Sequence, residues 1–184
     1  MPHPSDKPKN IFLVGPMGSG KTTVGRQLAK SLNLEFMDSD HEIERRTGVT
    51  IPVIFEVEGE PGFRRWEKEV IDDLTQRQGL VLATGGGAVL DPDNRDCLRQ
   101  RGTVVYLRAK AEQLYQRTAR DRNRPLLQTE NPRARIAALV EARDPLYHEV
   151  ADIIIDTGEG SVRGVIRQLL QQLRRLGILK AEAK

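Results

Sequence analysis

The stretch Gly15-Pro16-Met17-Gly18-Ser19-Gly20-Lys21-Thr22 (GPMGSGKT) directly follows the apolar run 11–14. It matches the pattern G-x-x-x-x-G-K-[ST], whose backbone N–H groups cradle phosphate groups when the loop joins a strand to a helix. The spacing of Val24, Leu28 and Leu32 indicates such a helix directly after the loop. The stretch therefore predicts a nucleotide-binding α/β domain.

The residues that close this loop carry the chemistry expected of a phosphate site. The Lys21 ammonium can reach the β- and γ-phosphates, and the Thr22 hydroxyl can ligate Mg²⁺. Because the chain has no Asn-Lys-x-Asp element of the kind that selects guanine, ATP is the favoured nucleotide. The predicted ATP-binding positions in this region are Gly18, Ser19, Gly20, Lys21, Thr22 and Thr23.

Length and composition favour one soluble domain. The chain has 184 residues, of which 38% are hydrophobic and 30% charged, with a net charge of +3. That charge is too small to suggest nucleic-acid binding, and no apolar run approaches the roughly 20 residues of a membrane span. The single cysteine, Cys97, fits a reducing cytosol. We expect a cytoplasmic domain over 10–176, after a disordered lead 1–9 and before a tail 177–184.

Short strand-like runs alternate with stretches of helical periodicity, which argues for a parallel sheet covered on both faces. The runs are Asn10–Val14, Glu35–Asp38, Leu80–Thr84, Thr103–Leu107 and Asp152–Asp156. The polar, proline-punctuated segment Asp121–Pro132 interrupts this pattern, and loops of that length are often lids. It has little apolar surface to hold it down, so we expect it to be mobile without ligand.

Two acidic residues close the second strand. Asp38 and Asp40 should face the crevice beyond the carboxyl ends of the strands, where ligands of open α/β sheets bind. One carboxylate could belong to the Mg²⁺ shell while the other accepts a proton or hydrogen bond from an acceptor hydroxyl. The alternative is that an Asp here only caps the helix that begins near His41.

Glycines and arginines supply the remaining candidates. Gly85-Gly86-Gly87 follow the third strand and can bring backbone against a ligand or simply make a turn. Arginines are surface residues by default, but Arg124 precedes a proline, which favours extended backbone and suits a loop arginine aimed at a ligand. The other arginines in question are Arg64, Arg65, Arg117, Arg120, Arg122 and Arg143.

Taken together, GPMGSGKT, DSD, FRR, TGGG, RPLL and the R-x-P-L-Y run of Arg143–Tyr147 resemble the shikimate kinase family. The resemblance extends from about Asn10 to about Leu173, with the motifs in the family's order and spacing. It implies a five-stranded parallel sheet in the order 2-3-1-4-5, of the nucleoside-monophosphate-kinase type, with a mobile lid at about 117–132. It also implies ATP-dependent phosphorylation of the 3-hydroxyl of shikimate, a step of chorismate and aromatic amino-acid synthesis, with Mg²⁺ as cofactor; we expect a monomer.

The resemblance assigns roles position by position. Shikimate would be bound by Asp40, Arg64, Gly86 and Arg143, with Asp40 as the candidate base, and Asp38 would order Mg²⁺ through water beside Thr22. Arg124 would reach the phosphates from the lid and act in catalysis together with Lys21 and Asp40. Arg117 would stack on adenine, to which the loop 157–161 offers only backbone, near Gly160.

Two alternatives belong beside this interpretation. Another small-molecule kinase of the same fold, acting on gluconate or a nucleotide, would share the phosphate loop but not the FRR and TGGG motifs. A non-catalytic ATP-binding regulator that signals through lid closure would be expected to have lost Asp40 or Arg124, and both are present. Turnover in an ATP-coupled assay with shikimate separates the three.

Overall fold

The computed structural model describes residues 10–119, 121 and 124–179. The predicted lead 1–9, part of the predicted tail, and Arg120 and Arg122 lie outside these residues. The strands are β1 (Ile11–Val14), β2 (Glu35–Asp38), β3 (Leu80–Ala83), β4 (Thr103–Arg108) and β5 (Ile153–Asp156). The helices are α1 (Lys21–Leu32), α2 (Ser39–Thr47), α3 (Ile51–Gln76), α4 (Pro92–Arg101), α5 (Ala111–Thr118), α6 (Pro132–Val150) and α7 (Val162–Arg175).

The strands form one parallel sheet in the order β2-β3-β1-β4-β5, which confirms the predicted topology. Strands β1 and β3 are buried along their whole length, which explains why they read as continuous apolar runs rather than as alternating patterns. Edge strand β5 does alternate between buried and exposed residues. The order places β1, and hence the phosphate loop that follows it, at the centre of the sheet.

Two apolar cores cover the faces of the sheet. One packs α3, α4 and α6 against side chains such as Phe12, Leu82 and Tyr106. The other packs α1 and α7 against Leu13, Val81 and Val105. Because successive strand residues point to opposite faces, neighbouring residues of each central strand serve different cores. The result is the predicted three-layer α/β arrangement.

Helix α3 is bent at Gly59, whose φ of 70° and ψ of −178° are not helical, and Pro61 follows the bend. Because a proline lacks the N–H that would continue the helical hydrogen bonds, Pro61 favours an interruption of the helix at this point. The first half of α3 begins at Ile51, and the second half carries Arg64. Residues from both segments of α3 line the crevice, Ile51 and Phe55 before the bend and Arg64 after it.

The packed chain continues past residue 176. Ile178 and Leu179 pack against the core that α1 and α7 share, and the Ile178 N–H donates to the carbonyl of Leu173. The predicted tail therefore begins with residues that contribute to the domain. Among the residues that the structure describes, no helix combines the length and apolarity needed to cross a membrane.

Candidate active site

The phosphate loop joins the centre of the sheet to α1, as the sequence predicts. Lys21 is the first residue of α1, and its buried ammonium donates hydrogen bonds to the carbonyls of Gly15 (2.6 Å) and Pro16 (2.9 Å). Burial lowers the pKa of Lys21 to about 7, and the neighbouring charge of Arg124 acts in the same direction. An anionic phosphate in this loop would offset both effects and favour the charged ammonium.

Asp38 connects the end of β2 to the phosphate loop. Its Oδ2 accepts a hydrogen bond from the Thr22 hydroxyl at 2.9 Å, and its Oδ1 accepts from the backbone N–H groups of Asp40 (2.9 Å) and His41 (3.2 Å). Asp38 is therefore the cap of α2, which begins at Ser39 rather than near His41. The hydroxyl and carboxylate are hard oxygen ligands that fit Mg²⁺, which in kinase sites takes its other ligands from phosphates and water.

Asp40 lies in the first turn of α2 but does not cap it. Its Oδ1 is buried and accepts no hydrogen bond from the described part of the chain. Burial raises the pKa of Asp40 to about 6, and the adjacent charge of Asp38 raises it further. The helix-cap alternative thus applies to Asp38, and Asp40 is left as an unusually basic carboxylate that faces the crevice.

Glu67 lines the same cavity as Asp40 and Arg64 but was not predicted from the sequence. It is 1% exposed, and its Oε1 lies 2.7 Å from Nη1 of Arg64, while Oε2 accepts no hydrogen bond within the described residues. Burial raises the pKa of Glu67 to about 7 against the lowering effect of Arg64. The signal was present: Glu67 falls on the apolar helix face of Phe63, Val70 and Leu74, where a charged residue needs a partner.

The three glycines after β3 each lie against a different charged group. A Cβ on Gly85 would come within 2.8 Å of both Asp40 Oδ1 and Glu67 Oε2, and one on Gly87 within 2.4 Å of the terminal nitrogens of Arg64. The loop 85–87 is therefore a surface of bare backbone onto which the charged side chains fold. The glycines also make a turn, in which the Ala88 N–H donates to the Gly85 carbonyl and the Leu90 N–H to the Gly87 carbonyl.

Gly86 is the point where this loop meets two other parts of the site. A Cβ on Gly86 would lie 3.3 Å from the backbone nitrogen of Met17, in the phosphate loop, and 3.7 Å from Nη1 of Arg143. Arg143 is 5% exposed on α6, so it is not the surface arginine of the default interpretation. The structure thus brings Arg143 of α6 and the loop 85–87 together beside the phosphate loop.

These groups line two adjoining cavities. One holds the substrate candidates predicted from the sequence, together with Glu67 and the apolar side chains of Ile51, Phe55 and Phe63. The other contains Lys21, Thr22 and Asp38. Asp40 and Arg124 line both cavities. A carboxylate with a raised pKa and a guanidinium cation therefore lie at the junction of the two cavities.

Arg124 has the extended backbone expected before a proline, with φ of −121° and ψ of 90°. Its Nε donates to Oδ2 of Asp121 at 2.9 Å, and the side chain is 37% exposed. In the segment 121–132, which was expected to have little apolar surface to hold it down, Leu127 is buried with Leu114 and Ile136. Any movement of Arg124 would therefore occur on the N-terminal side of this anchor.

Arg117 links the phosphate loop to the loop after β5. Its guanidinium donates to the carbonyls of Gly18 (3.1 Å) and Thr157 (2.6 Å), and the Thr157 hydroxyl donates to the carbonyl of Ser19 (3.0 Å). The predicted adenine contact Gly160 lies exposed in that second loop, with a φ of 108°. The structure thus joins the phosphate loop to the loop after β5.

Comparisons with known proteins show which family this chain resembles. A family model described as shikimate kinase matches residues 17–174. The shikimate kinase of Burkholderia lata is 60% identical over 174 residues, which cover 95% of each chain. A solved structure of shikimate kinase from Acinetobacter baumannii in complex with shikimate superposes with a TM-score of 0.89 at 57% identity, covering 92% of this chain and 94% of that one.

The alternative of a gluconate kinase can be compared directly. A gluconokinase from Sinorhizobium meliloti superposes with a TM-score of 0.60 over 92% of this chain, but at 19% identity. Such a likeness shows that the fold is shared and carries no information about the substrate.

Proposed function

The chain belongs to the shikimate kinase family, and from that premise we propose how its own residues bind and phosphorylate shikimate. It is an ATP-dependent kinase of the shikimate pathway, the route to chorismate and the aromatic amino acids. The observation that carries the residue assignment is the convergence of Asp40, Arg64 and Arg143 on the loop 85–87, directly beside the phosphate loop.

Arg64 and Arg143 would bind the carboxylate of shikimate. Both guanidinium groups border the same cavity, from α3 and from α6, and a guanidinium fork matches a carboxylate with two parallel hydrogen bonds. Arg143 is nearly buried, and Arg64 is held by Glu67, so both forks are oriented before a ligand arrives. Gly86 would contact the ring hydroxyls through its backbone, since its position has no side chain to keep the substrate away.

Asp40 would orient the 3-hydroxyl and accept its proton. A pKa of about 6 leaves the carboxylate ionised at neutral pH while making it more basic than an ordinary aspartate. Because the transition state of phosphoryl transfer is loose, the proton moves late and the main requirement is alignment of the hydroxyl with the phosphate. Asp40 lines both cavities and is placed for that task.

The phosphates of ATP would occupy the loop 15–22, bound by backbone N–H groups that include Gly18, Ser19 and Gly20, and by Lys21 and Thr23. On binding, the Lys21 ammonium would exchange the carbonyls of Gly15 and Pro16 for phosphate oxygens. Thr22 and, through water, Asp38 would hold Mg²⁺. The metal would neutralise charge that develops on the phosphates.

Arg124 and Arg117 would contact the two ends of the nucleotide. Arg124 already borders the phosphate cavity, and release from Asp121 would free its guanidinium to approach the transferred phosphoryl group. The segment 117–132 would act as the lid that excludes water and so prevents wasteful hydrolysis of ATP. Arg117 would stack on adenine, and the backbone near Gly160 would supply the remaining base contact.

The residues of the proposed site come from one chain, so we propose that the protein works as a monomer, in the cytoplasm where ATP is available. We propose a single domain that begins at about residue 10 and extends past 176 to include Ile178 and Leu179. The test of the function is ADP formation with ATP and Mg²⁺, measured with shikimate, with gluconate and without an acceptor. Turnover only with shikimate supports the proposal. Turnover with gluconate alone, or none with any acceptor, would overturn it.

A further inference from the structure

We propose that Tyr147 is a positioning residue whose hydroxyl couples Arg143 to the loop 85–87. It would fix the position of Gly86 relative to Arg143, so that one shikimate molecule can contact both. The inference rests on the proposed function, because it concerns the same shikimate site. Tyr147 itself would touch neither substrate, and it would act through the two groups it holds.

The geometry around Tyr147 forms a short chain of polar contacts. Tyr147 lies on α6 one helical turn after Arg143 and is 0% exposed. Its hydroxyl donates to the carbonyl of Gly86 at 2.6 Å, and Nη1 of Arg143 lies 3.7 Å from the position that a Cβ on Gly86 would take. The hydroxyl therefore holds the backbone of one proposed substrate residue, Gly86, at the point where the side chain of another, Arg143, adjoins it.

The position of Gly86 gives this contact a consequence for the reaction. Gly86 packs close to the backbone nitrogen of Met17, so the loop 85–87 abuts the phosphate loop. A hydrogen bond that holds the Gly86 carbonyl would therefore also fix the distance between the cavity proposed for shikimate and the phosphate loop. Reactions of this type are sensitive to misplacement of the reacting groups by about 1 Å.

The ring of Tyr147 is held independently of its hydroxyl. It packs against the ring of Tyr106 with centroids 4.9 Å apart, and the Tyr106 hydroxyl donates to Oδ1 of Asp144 at 2.7 Å. Burial raises the pKa of Tyr147 to about 12, so the hydroxyl remains a donor at every pH at which the enzyme would work. Replacing tyrosine with phenylalanine therefore removes the polar link while leaving the ring in place.

Tyr106 provides a matched control. It is equally buried and belongs to the same ring pair, but its hydroxyl bonds to Asp144 rather than to the loop 85–87. A purely structural role for either hydroxyl predicts similar losses of thermal stability and no selective change in substrate binding. A positioning role predicts a difference between the two variants in shikimate binding.

The experiment compares KM for shikimate, kcat and the Kd for ATP in wild type, Tyr147→Phe and Tyr106→Phe. We expect Tyr147→Phe to raise KM for shikimate about tenfold without changing the Kd for ATP, and Tyr106→Phe to leave both unchanged. KM does not depend on the fraction of folded enzyme, so partial unfolding cannot imitate this result. Equal effects of the two variants, or an unchanged KM in Tyr147→Phe, would overturn the inference.

A double-mutant cycle tests the coupling itself. If Tyr147 acts through Arg143, Tyr147→Phe should raise KM much less in an Arg143→Lys background than in wild type. Equal fold-changes in both backgrounds contradict the coupling. The two proposals can fail separately. If wild-type enzyme does not phosphorylate shikimate, both are overturned. If wild-type enzyme does so but the Tyr147→Phe results are not as expected, only the inference about Tyr147 fails.

Discussion

Arg64 donates from Nη1 to Oε1 of Glu67 across 2.7 Å, so the arginine proposed to bind the shikimate carboxylate already has a buried carboxylate partner. A second contact, from Nη2 to Glu60 at 3.1 Å, holds the other side of the guanidinium on the exposed face of α3. The guanidinium is thereby oriented before substrate arrives, which lowers the entropic cost of binding.

Glu67 should make the stability of the free protein depend on pH. Its pKa of about 7 lies above the value of about 4.3 for an unfolded glutamate, so the folded state holds more protons between these values. The free energy of unfolding therefore falls as pH rises through this window, and Glu67→Gln removes that fall. The difference in the free energy of unfolding, Glu67→Gln minus wild type, should therefore increase by about 2 kcal/mol from pH 5 to pH 8. Urea unfolding at both pH values measures the gain, with exposed Glu69→Gln as control; parallel pH dependences of Glu67→Gln and wild type would contradict the prediction.

Lys21→Ala should abolish turnover without unfolding the protein. The ammonium contacts only loop carbonyls in the described structure, and its proposed partners are the phosphates of ATP. The matched control is Lys30→Ala, which removes an exposed lysine from the same helix. The measurements are kcat and the thermal midpoint. Normal turnover of a folded Lys21→Ala variant is the result that the proposal does not survive.

Arg64→Lys and Arg143→Lys should each weaken shikimate binding far more than ATP binding. An ammonium keeps the charge but loses the fork, at a cost of roughly 1.5–3 kcal/mol, or about ten- to a hundredfold in KM for shikimate. Arg65→Lys is the control, because Arg65 is exposed and its nearest carboxylate, Glu58, lies 4.0 Å away. If KM for both substrates rose equally, these arginines would serve the nucleotide or the fold instead.

Asp40→Asn should lower kcat about 10²-fold or more, because the amide keeps the shape of the side chain but cannot accept a proton. In wild type, kcat/KM for shikimate should fall as pH drops below about 6, where the Asp40 carboxylate becomes protonated. The pH–rate profiles of both proteins measure this, and the acid limb near pH 6 should be absent from the variant. Near-normal kcat in Asp40→Asn would leave Asp40 no role as a base.

Arg124→Ala should reduce kcat by roughly 10³-fold while changing the Kd for ATP little, as expected of an arginine that stabilises only the transition state. Arg124→Lys should restore part of the rate, since it returns the charge without the fork. Arg133→Ala, which removes an exposed arginine paired with Glu112 on α5, is the control. An unchanged kcat in Arg124→Ala would refute the lid mechanism even if the kinase assignment stands.

Much of the site could be predicted from the sequence because its signals are local. The phosphate loop depends on glycines and a lysine at fixed spacing within one strand–loop–helix unit, and the structure builds that unit around Lys21 as expected. Strand–helix alternation likewise indicated the parallel sheet, and the family's motifs supplied the strand order. Asp38 and Asp40 could be placed at the crevice because the carboxyl ends of parallel strands share one edge.

Tertiary packing decides which partners these residues have and how their pKa values are shifted. The sequence could not say which aspartate capped α2, because that depends on the path of the backbone between β2 and α2. In the sequence, Glu67 is one of several charged residues of α3. Only the fold shows that it is buried beside the loop 85–87 and paired with Arg64. The Tyr147 hydroxyl donates to a carbonyl 61 residues earlier in the chain, a contact that the spacing of residues within α6 does not reveal. Spacing along the chain determines which groups share one element, whereas burial and contacts between distant segments determine their partners and proton affinities.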